Sequence, residues 1–181
     1  FPEMFPGPLG MSLAGQGLKE GIWSLETLNL RDYGIDRHAS VDDTPYGGGP
    51  GMVMRPDVIG MALSKIVEDT KRFPLLVTSP RGLPFNQARI REFAKGPGLI
   101  ILCGRFEGID QRVIEAYNME EFSVGDVVLS GGETAAFILL DACVRLLHGI
   151  IGTAESTEDE SFESGLLEYP HYTRPQNWRG Q

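Results

Sequence analysis

Several features that mark other protein classes are scarce in this chain of 181 residues. It contains 2 cysteines, Cys103 and Cys143, and both lie in apolar stretches. This favours buried free thiols in a reducing cytoplasm over a disulfide framework. No apolar run approaches the length of a membrane span, and no basic segment followed by an apolar core opens the chain. We therefore expect a cytoplasmic protein without a membrane partner.

The motifs of common nucleotide and metal sites are also missing. The glycine spacing of a dinucleotide fingerprint, a phosphate loop ending in Gly-Lys-Ser/Thr and a paired-histidine zinc motif are all absent. The 3 histidines show no ligand spacing, so we expect surface or core histidines and no metal site. Basic residues are outnumbered, 16 against 25 acidic ones, giving a net charge of -9. That charge opposes nucleic-acid binding, because Lys and Arg normally supply most of the affinity for phosphates.

What is present is an alternation of short β-like runs and helical patterns, which predicts an α/β domain with a mostly parallel sheet flanked by helices. Unbroken apolar runs in the second and third predicted strands indicate that helices cover both faces of the sheet. The predicted strands are 22–30, 74–79, 98–104 and 126–130. The predicted helices are 56–72, 86–95, 109–118 and 133–149.

Glycine is concentrated where a ligand would approach the backbone. Four glycines and a proline occupy residues 47–51, the glycine loop, which is a candidate binding loop. Each later predicted strand runs into a glycine turn, "SPRG", "CGRFEG" or "SGGE". Because the carboxyl ends of parallel strands share one edge of a sheet, these turns predict one shared pocket. Solvated charges at the second turn and a tight glycine crossover at the third are the plain alternatives.

The segment 152–164, "GTAESTEDESFES", is acidic and lacks apolar periodicity. This composition predicts a flexible interdomain linker, and its acidic residues would ordinarily be solvated. The preceding residues, 1–151, form the predicted main domain.

Six segments in order resemble the bacterial tRNA (guanine-N1)-methyltransferases, the TrmD family. They are "FPEMF", "DRHASVDDTPYGGGPGM", "TSPRG", "LCGRFEGID", "SVGDVVLSGGE" and "ESFESGLLEYPHYTRP", and together they extend over essentially the whole chain. The resemblance implies a SPOUT-type fold with a deep trefoil knot and a homodimer with active sites at the subunit interface. It also implies methyl transfer from S-adenosylmethionine to N1 of guanine 37 in tRNAs in which a guanine precedes it. Magnesium is associated with activity in this family.

The family's cofactor loops correspond to residues 78–82 (the first turn), 104–108 (the second turn) and 123–132 (the third turn). Glu107 resembles the carboxylate near the methionyl group and the incoming guanine, and Asp42 and Tyr46 would lie beside the guanine pocket. The residues implied in cofactor binding are Thr78, Ser79, Pro80, Gly82, Gly104, Arg105, Phe106, Glu107, Gly108, Ser123, Val124, Gly125, Asp126, Val128, Leu129, Ser130, Gly131 and Gly132.

Guanine N1 must lose a proton before it can attack a methyl group, so a carboxylate base is expected. In many family members the base is an aspartate directly before "SF" in the linker. Here Glu160 holds that position and Asp159 precedes it, and we favour Glu160 with Asp159 as the alternative. Arg145 matches the family arginine that stabilises charge on O6.

The resemblance further implies a strand before residue 1 and a helical tRNA-binding domain that starts within 165–181. Residues 1–181 alone would then bind the cofactor better than tRNA. A non-catalytic S-adenosylmethionine-binding module or scaffold is the competing hypothesis. The negative charge and the altered "DESF" segment are its main support.

Overall fold

The computed structural model describes residues 1–66, 71–151 and 169–180. The chain divides into two units, Phe1–Ile151 and Gly152–Gln181. The predicted linker, with Asp159 and Glu160, lies outside the described residues. No helix of the described part is long and apolar enough to cross a membrane.

The first unit contains five strands and five α-helices among its described residues. The strands are β1 (Asp42–Asp43), β2 (Val53–Met54), β3 (Leu75–Pro84), β4 (Ile100–Leu102) and β5 (Glu120–Ser123). The helices are α1 (Ser12–Lys19), α2 (Pro56–Lys65), α3 (Gln87–Lys95), α4 (Gln111–Ala116) and α5 (Gly132–Val144).

A parallel sheet in the order β4-β3-β5 forms the centre of the unit, and β1 pairs antiparallel with β2 beside it. Along β3, Leu75 and Val77 contact a core cluster that includes residues of α2 and α4. The intervening Leu76 contacts a second cluster built from α3, β5 and α5. Successive residues of a strand point to opposite faces, so both faces of the sheet are covered. The predicted α/β class and the parallel sheet flanked by helices are confirmed.

Local sequence explains where the helices begin. Asn86 accepts a hydrogen bond from the Arg89 amide (3.0 Å) and caps α3, while Asp110 accepts one from the Arg112 amide (3.0 Å) and caps α4. Pro56 is the first residue of α2, where a missing N–H costs nothing. The predicted helices 56–72 and 133–149 both extend past the observed ends, at Lys65 and Val144.

Two predicted strands are wrong. Residues 22–30 form no strand, and the Trp23 indole instead donates to the Ala14 carbonyl (2.8 Å), which holds this segment against α1. Residues 126–130 are irregular, and the strand here is β5, which ends at Ser123 and is separated from them by two residues. Val127, Val128 and Leu129 gave the pattern its apolar character, but all three are exposed. Apolar alternation indicates a strand only where another strand edge is available to pair.

The described residues of the second unit, 169–180, have little regular structure. The ring centroids of Tyr169 and His171 lie 4.8 Å apart, and Cζ of Arg179 lies 4.7 Å from the centroid of the Trp178 ring.

Candidate active site

The first, second and third turns contact one another at one end of the sheet. The Gly104 amide donates to the Thr78 hydroxyl (2.9 Å), and the Gly132 amide donates to the Gly104 carbonyl (2.8 Å). A Cβ added to Gly132 would lie 1.9 Å from Thr78 Oγ1, so only glycine fits at this junction. These hydrogen bonds join residues that are far apart in sequence. Thr78 and Gly104 are separated by 26 positions, and Gly104 and Gly132 by 28.

The first turn leaves the regular ladder between β3 and β5. Thr78 and Leu83 both pair with Phe122, so the residues between them, including Ser79 and Pro80, form an irregular insertion within β3. The Arg81 amide donates to Ser79 Oγ (3.2 Å) inside this insertion. A Cβ on Gly82 would lie 2.4 Å from the Phe122 backbone nitrogen, so the turn rests directly on β5.

The second turn is joined to the glycine loop and the segment that follows it. The Glu107 amide donates to the Met52 carbonyl (3.0 Å), and the Met54 amide donates to the Gly108 carbonyl (2.9 Å). A Cβ on Gly51 would lie 2.3 Å from Glu107 Cγ, so the carboxylate side chain packs against glycine backbone. The structure therefore brings Glu107 and the glycine loop together.

The residues predicted to border the guanine lie around this loop. Asp42 is half-buried in β1, opposite Met54 of β2. Tyr46 directly precedes the glycine loop, and 98% of its surface is exposed.

The third turn presents apolar side chains to solvent. Ser123 is buried, donates to the Gly125 carbonyl (2.9 Å) and accepts from the Gly125 amide (3.1 Å), which fixes the start of the turn. Val124 packs against the second core cluster, and Asp126 is exposed. Val128 is 86% exposed and Leu129 is also exposed, as is Phe106 of the second turn.

This arrangement fits a nucleoside ligand. Exposed Phe106, Val128 and Leu129 supply apolar surface of the kind that a purine covers. A Cβ on Gly108 or Gly125 would meet no heavy atom within 4 Å, so the outer backbone of two turns borders open space. Among the described residues there is no group of three or more His, Cys, Asp or Glu side chains that could hold a metal ion.

Arg105 links the second turn to the third. Its Nε donates to Glu133 Oε1 (3.0 Å) and its Nη1 donates to the Ser130 carbonyl (3.2 Å). A Cβ on Gly131 would lie 2.3 Å from Arg105 Nε, so the guanidinium lies against the backbone of the third turn. Sequence reasoning gave Glu133 no role, although a carboxylate directly after two glycines at a helix start was the signal that could have found it.

The surroundings of the Cys103 thiol, beside this ion pair, disfavour its ionised form. Burial, and secondarily the negative charge of Glu133, raise the pKa of Cys103 from 9.0 to about 12. Burial alone raises the pKa of Cys143 to about 11. Both cysteines are free, and the thiolate is the reactive form of cysteine.

Arg145 is not close to the three turns along its own helix. It follows α5 as the C-terminal cap, whereas Gly132 is the first residue of that helix. Thirteen residues at a rise of 1.5 Å separate the two ends of the helix by about 20 Å. Within one subunit, the backbone of Arg145 therefore lies about 20 Å along the helix axis from the end of the third turn.

The chain is similar over its whole length to a known protein family. The family model described as "tRNA (Guanine-1)-methyltransferase TrmD" matches residues 1–181. The chain belongs to the TrmD family. Curated relatives named tRNA (guanine-N(1)-)-methyltransferase include one from Rhizorhabdus wittichii, 60% identical over 181 residues, which cover the whole chain and 74% of the relative. Others come from Rhodopseudomonas palustris, 62% identical with 73% of the relative covered, and Brucella ovis, 61% identical with 74% covered.

Membership in the TrmD family confirms the resemblance drawn from the six sequence segments. Four of them, "DRHASVDDTPYGGGPGM", "TSPRG", "LCGRFEGID" and "SVGDVVLSGGE", supply the glycine loop and the three turns that meet in the structure. The fifth functional element, the linker carboxylate pair, lies outside the described residues.

Proposed function

We propose that the chain is the methyltransferase part of an enzyme that methylates N1 of guanine 37 in tRNAs carrying a preceding guanine. The observation that carries this proposal is the full-length match to the TrmD family, whose curated relatives are named for guanine-N1 methylation of tRNA. The convergence of the three turns supports it, since a methyl donor needs one shared cleft.

Backbone groups and apolar side chains of the three turns would hold S-adenosylmethionine. The bound cofactor would supply an electrophilic methyl group on a sulfonium. The chain's own task is alignment, and holding guanine N1 in line with that methyl group removes much of the entropic barrier. Glu107, packed on the glycine loop, would border both the methionyl end and the guanine, with Asp42 and Tyr46 on the guanine side.

The remaining chemistry is proton removal and charge stabilisation. Glu160, or Asp159 in its place, takes the N1 proton of guanine, which frees the lone pair that forms the new bond. Arg145 stabilises the negative charge that develops on O6, and a preorganised cation acts most strongly where water is excluded.

We further infer a homodimer in which one subunit supplies the three turns and its partner supplies Arg145 and the linker carboxylate. The helical separation of about 20 Å between Gly132 and Arg145 supports this division of the site between subunits. The trefoil knot and a cytoplasmic location belong to the same proposal and rest on family membership.

Methyl transfer by the intact protein to two tRNA transcripts tests the proposed function. One transcript carries guanines at positions 36 and 37, and the other has adenine at position 36. We expect N1-methylguanine, identified by mass spectrometry of nucleosides, in the first transcript and at least about 100-fold slower formation in the second. Binding of S-adenosylmethionine without transfer to either transcript would favour the non-catalytic module.

A further inference from the structure

The buried carboxylate of Glu133 has no part in the chemistry proposed above. Only 3% of the residue is exposed, and it lies in the first turn of α5. A buried carboxylate is costly unless it is paired, and its partner here is Arg105. The Arg105 Nη2 and Glu133 Oε2 atoms lie 2.9 Å apart. Oε2 accepts no hydrogen bond of favourable geometry from the described residues, so this ion-pair contact is what compensates the burial of that oxygen.

The donors of Arg105 are committed to protein groups. Besides Glu133 and the Ser130 carbonyl, Nη2 lies 3.5 Å from Met4 Sδ. The Phe1 ring covers one face, with its centroid 4.5 Å from Cζ. The backbone amide of Arg105 donates to Met54 Sδ (3.2 Å). A guanidinium held in this way has little freedom to contact a ligand, although Arg105 is among the residues that the resemblance implies in cofactor binding.

Glu133 and Ser130 flank the two glycines that close the third turn, while Arg105 precedes Phe106 and Glu107 in the second turn. One side chain thus fixes the spacing between two of the three turns. The described backbone also joins these two turns, through the hydrogen bond from the Gly132 amide to the Gly104 carbonyl.

We propose that Glu133 is a positioning residue that holds Arg105 across the second and third turns and thereby sets affinity for the methyl donor. The inference rests on the proposed function, because it takes S-adenosylmethionine as the ligand of these turns. In this proposal Arg105 holds the second and third turns together, and Phe106, Glu107 and Gly108 contact the ligand.

The deciding variant is Glu133→Gln, which keeps an acceptor for Arg105 but removes the charge. We expect the dissociation constant for S-adenosylmethionine, measured by calorimetry on the intact protein, to rise about tenfold or more. The KM for S-adenosylmethionine should rise in parallel, whereas kcat at saturating cofactor and the KM for tRNA should stay within about twofold to threefold. A purely structural residue would lower the active fraction and kcat without this split.

Glu120→Gln is the matched control, because it breaks an exposed ion pair with Arg89 (2.6 Å) by the same substitution. It should leave the dissociation constant unchanged. If Glu133→Gln does not fold, Arg105→Lys decides, since the buried carboxylate keeps a cation but loses the fork that reaches both Glu133 and Ser130. That variant should also weaken cofactor binding about tenfold.

The failures of the two proposals are distinguishable. Wild-type protein that does not bind S-adenosylmethionine would overturn the proposed function. The positioning role alone would be overturned if the wild type binds S-adenosylmethionine tightly and Glu133→Gln leaves the dissociation constant unchanged. If Glu133→Gln is unfolded, the same result in Arg105→Lys has the same meaning. A decrease in both kcat and thermal stability, with unchanged affinity for S-adenosylmethionine, would also overturn the positioning role.

Discussion

At the scale of single residues, the open question of the mechanism is which of two adjacent carboxylates is the base. Position relative to "SF" favours Glu160, whereas the chemical identity of the family base favours Asp159. The glutamate side chain has one more methylene than aspartate, so its carboxylate would reach the N1 proton from a backbone position slightly farther from the guanine.

Amide substitution separates the two residues. We expect Glu160→Gln to lower kcat by about 100-fold or more, the usual range for loss of a general base, with the dissociation constant for S-adenosylmethionine nearly unchanged. Asp159→Asn is the matched control and should retain most activity. The reverse pattern in single-turnover methylation would assign the proton transfer to Asp159.

At the scale of elements, the contact between the glycine loop and the second turn connects Glu107 to the rest of the site. The loop reaches φ values of +81° at both Gly48 and Gly51, a conformation that L side chains adopt only with strain. The two positions differ in surroundings, because a Cβ meets Glu107 at Gly51 and nothing within 4 Å at Gly48.

Alanine at these two positions isolates that contact. Both Gly48→Ala and Gly51→Ala should cost about 1–2 kcal/mol of stability from backbone strain. Only Gly51→Ala displaces Glu107, so we expect it alone to lower kcat/KM, by about tenfold beyond the effect of Gly48→Ala. Thermal unfolding and steady-state kinetics provide the two measurements, and equal kinetic losses would show that the Glu107 contact has no functional part.

At the scale of the whole molecule, α5 carries Gly132 at one end and is followed by Arg145 at the other. A rigid helix cannot bring its two ends to one ligand. In the proposed homodimer, a two-fold axis would place the helix end of one copy beside the turns of the other.

Mixed dimers test this arrangement. Arg145→Ala and Glu107→Ala homodimers should each be nearly inactive, because every site lacks one required group. Co-expressed in equal amounts, the two variants should recover about a quarter of wild-type activity, since half of the dimers are mixed and each has one intact site. No recovery in isolated mixed dimers would place both residues in the same subunit's site.

The sequence by itself determined the family, the α/β class, the sheet covered on both faces and the glycine turns. These properties depend on local pattern or on ordered motifs. The unbroken apolar run Leu75, Leu76 and Val77, for example, predicts burial on both faces of the sheet, and these residues contact the two core clusters. Local pattern was insufficient at 22–30 and 126–130, because a strand also needs a neighbouring edge to pair with, and these residues pair with none of the described strands.

Only the tertiary structure decided how the turns meet. The hydrogen bond between Thr78 and Gly104 and the ion pair between Arg105 and Glu133 join residues far apart in sequence. The sequence around one residue of each pair does not predict the other residue, because such contacts depend on how strands and helices pack. The family resemblance implies Arg105 in cofactor binding, and only the structure shows that its guanidinium contacts Glu133 and Ser130.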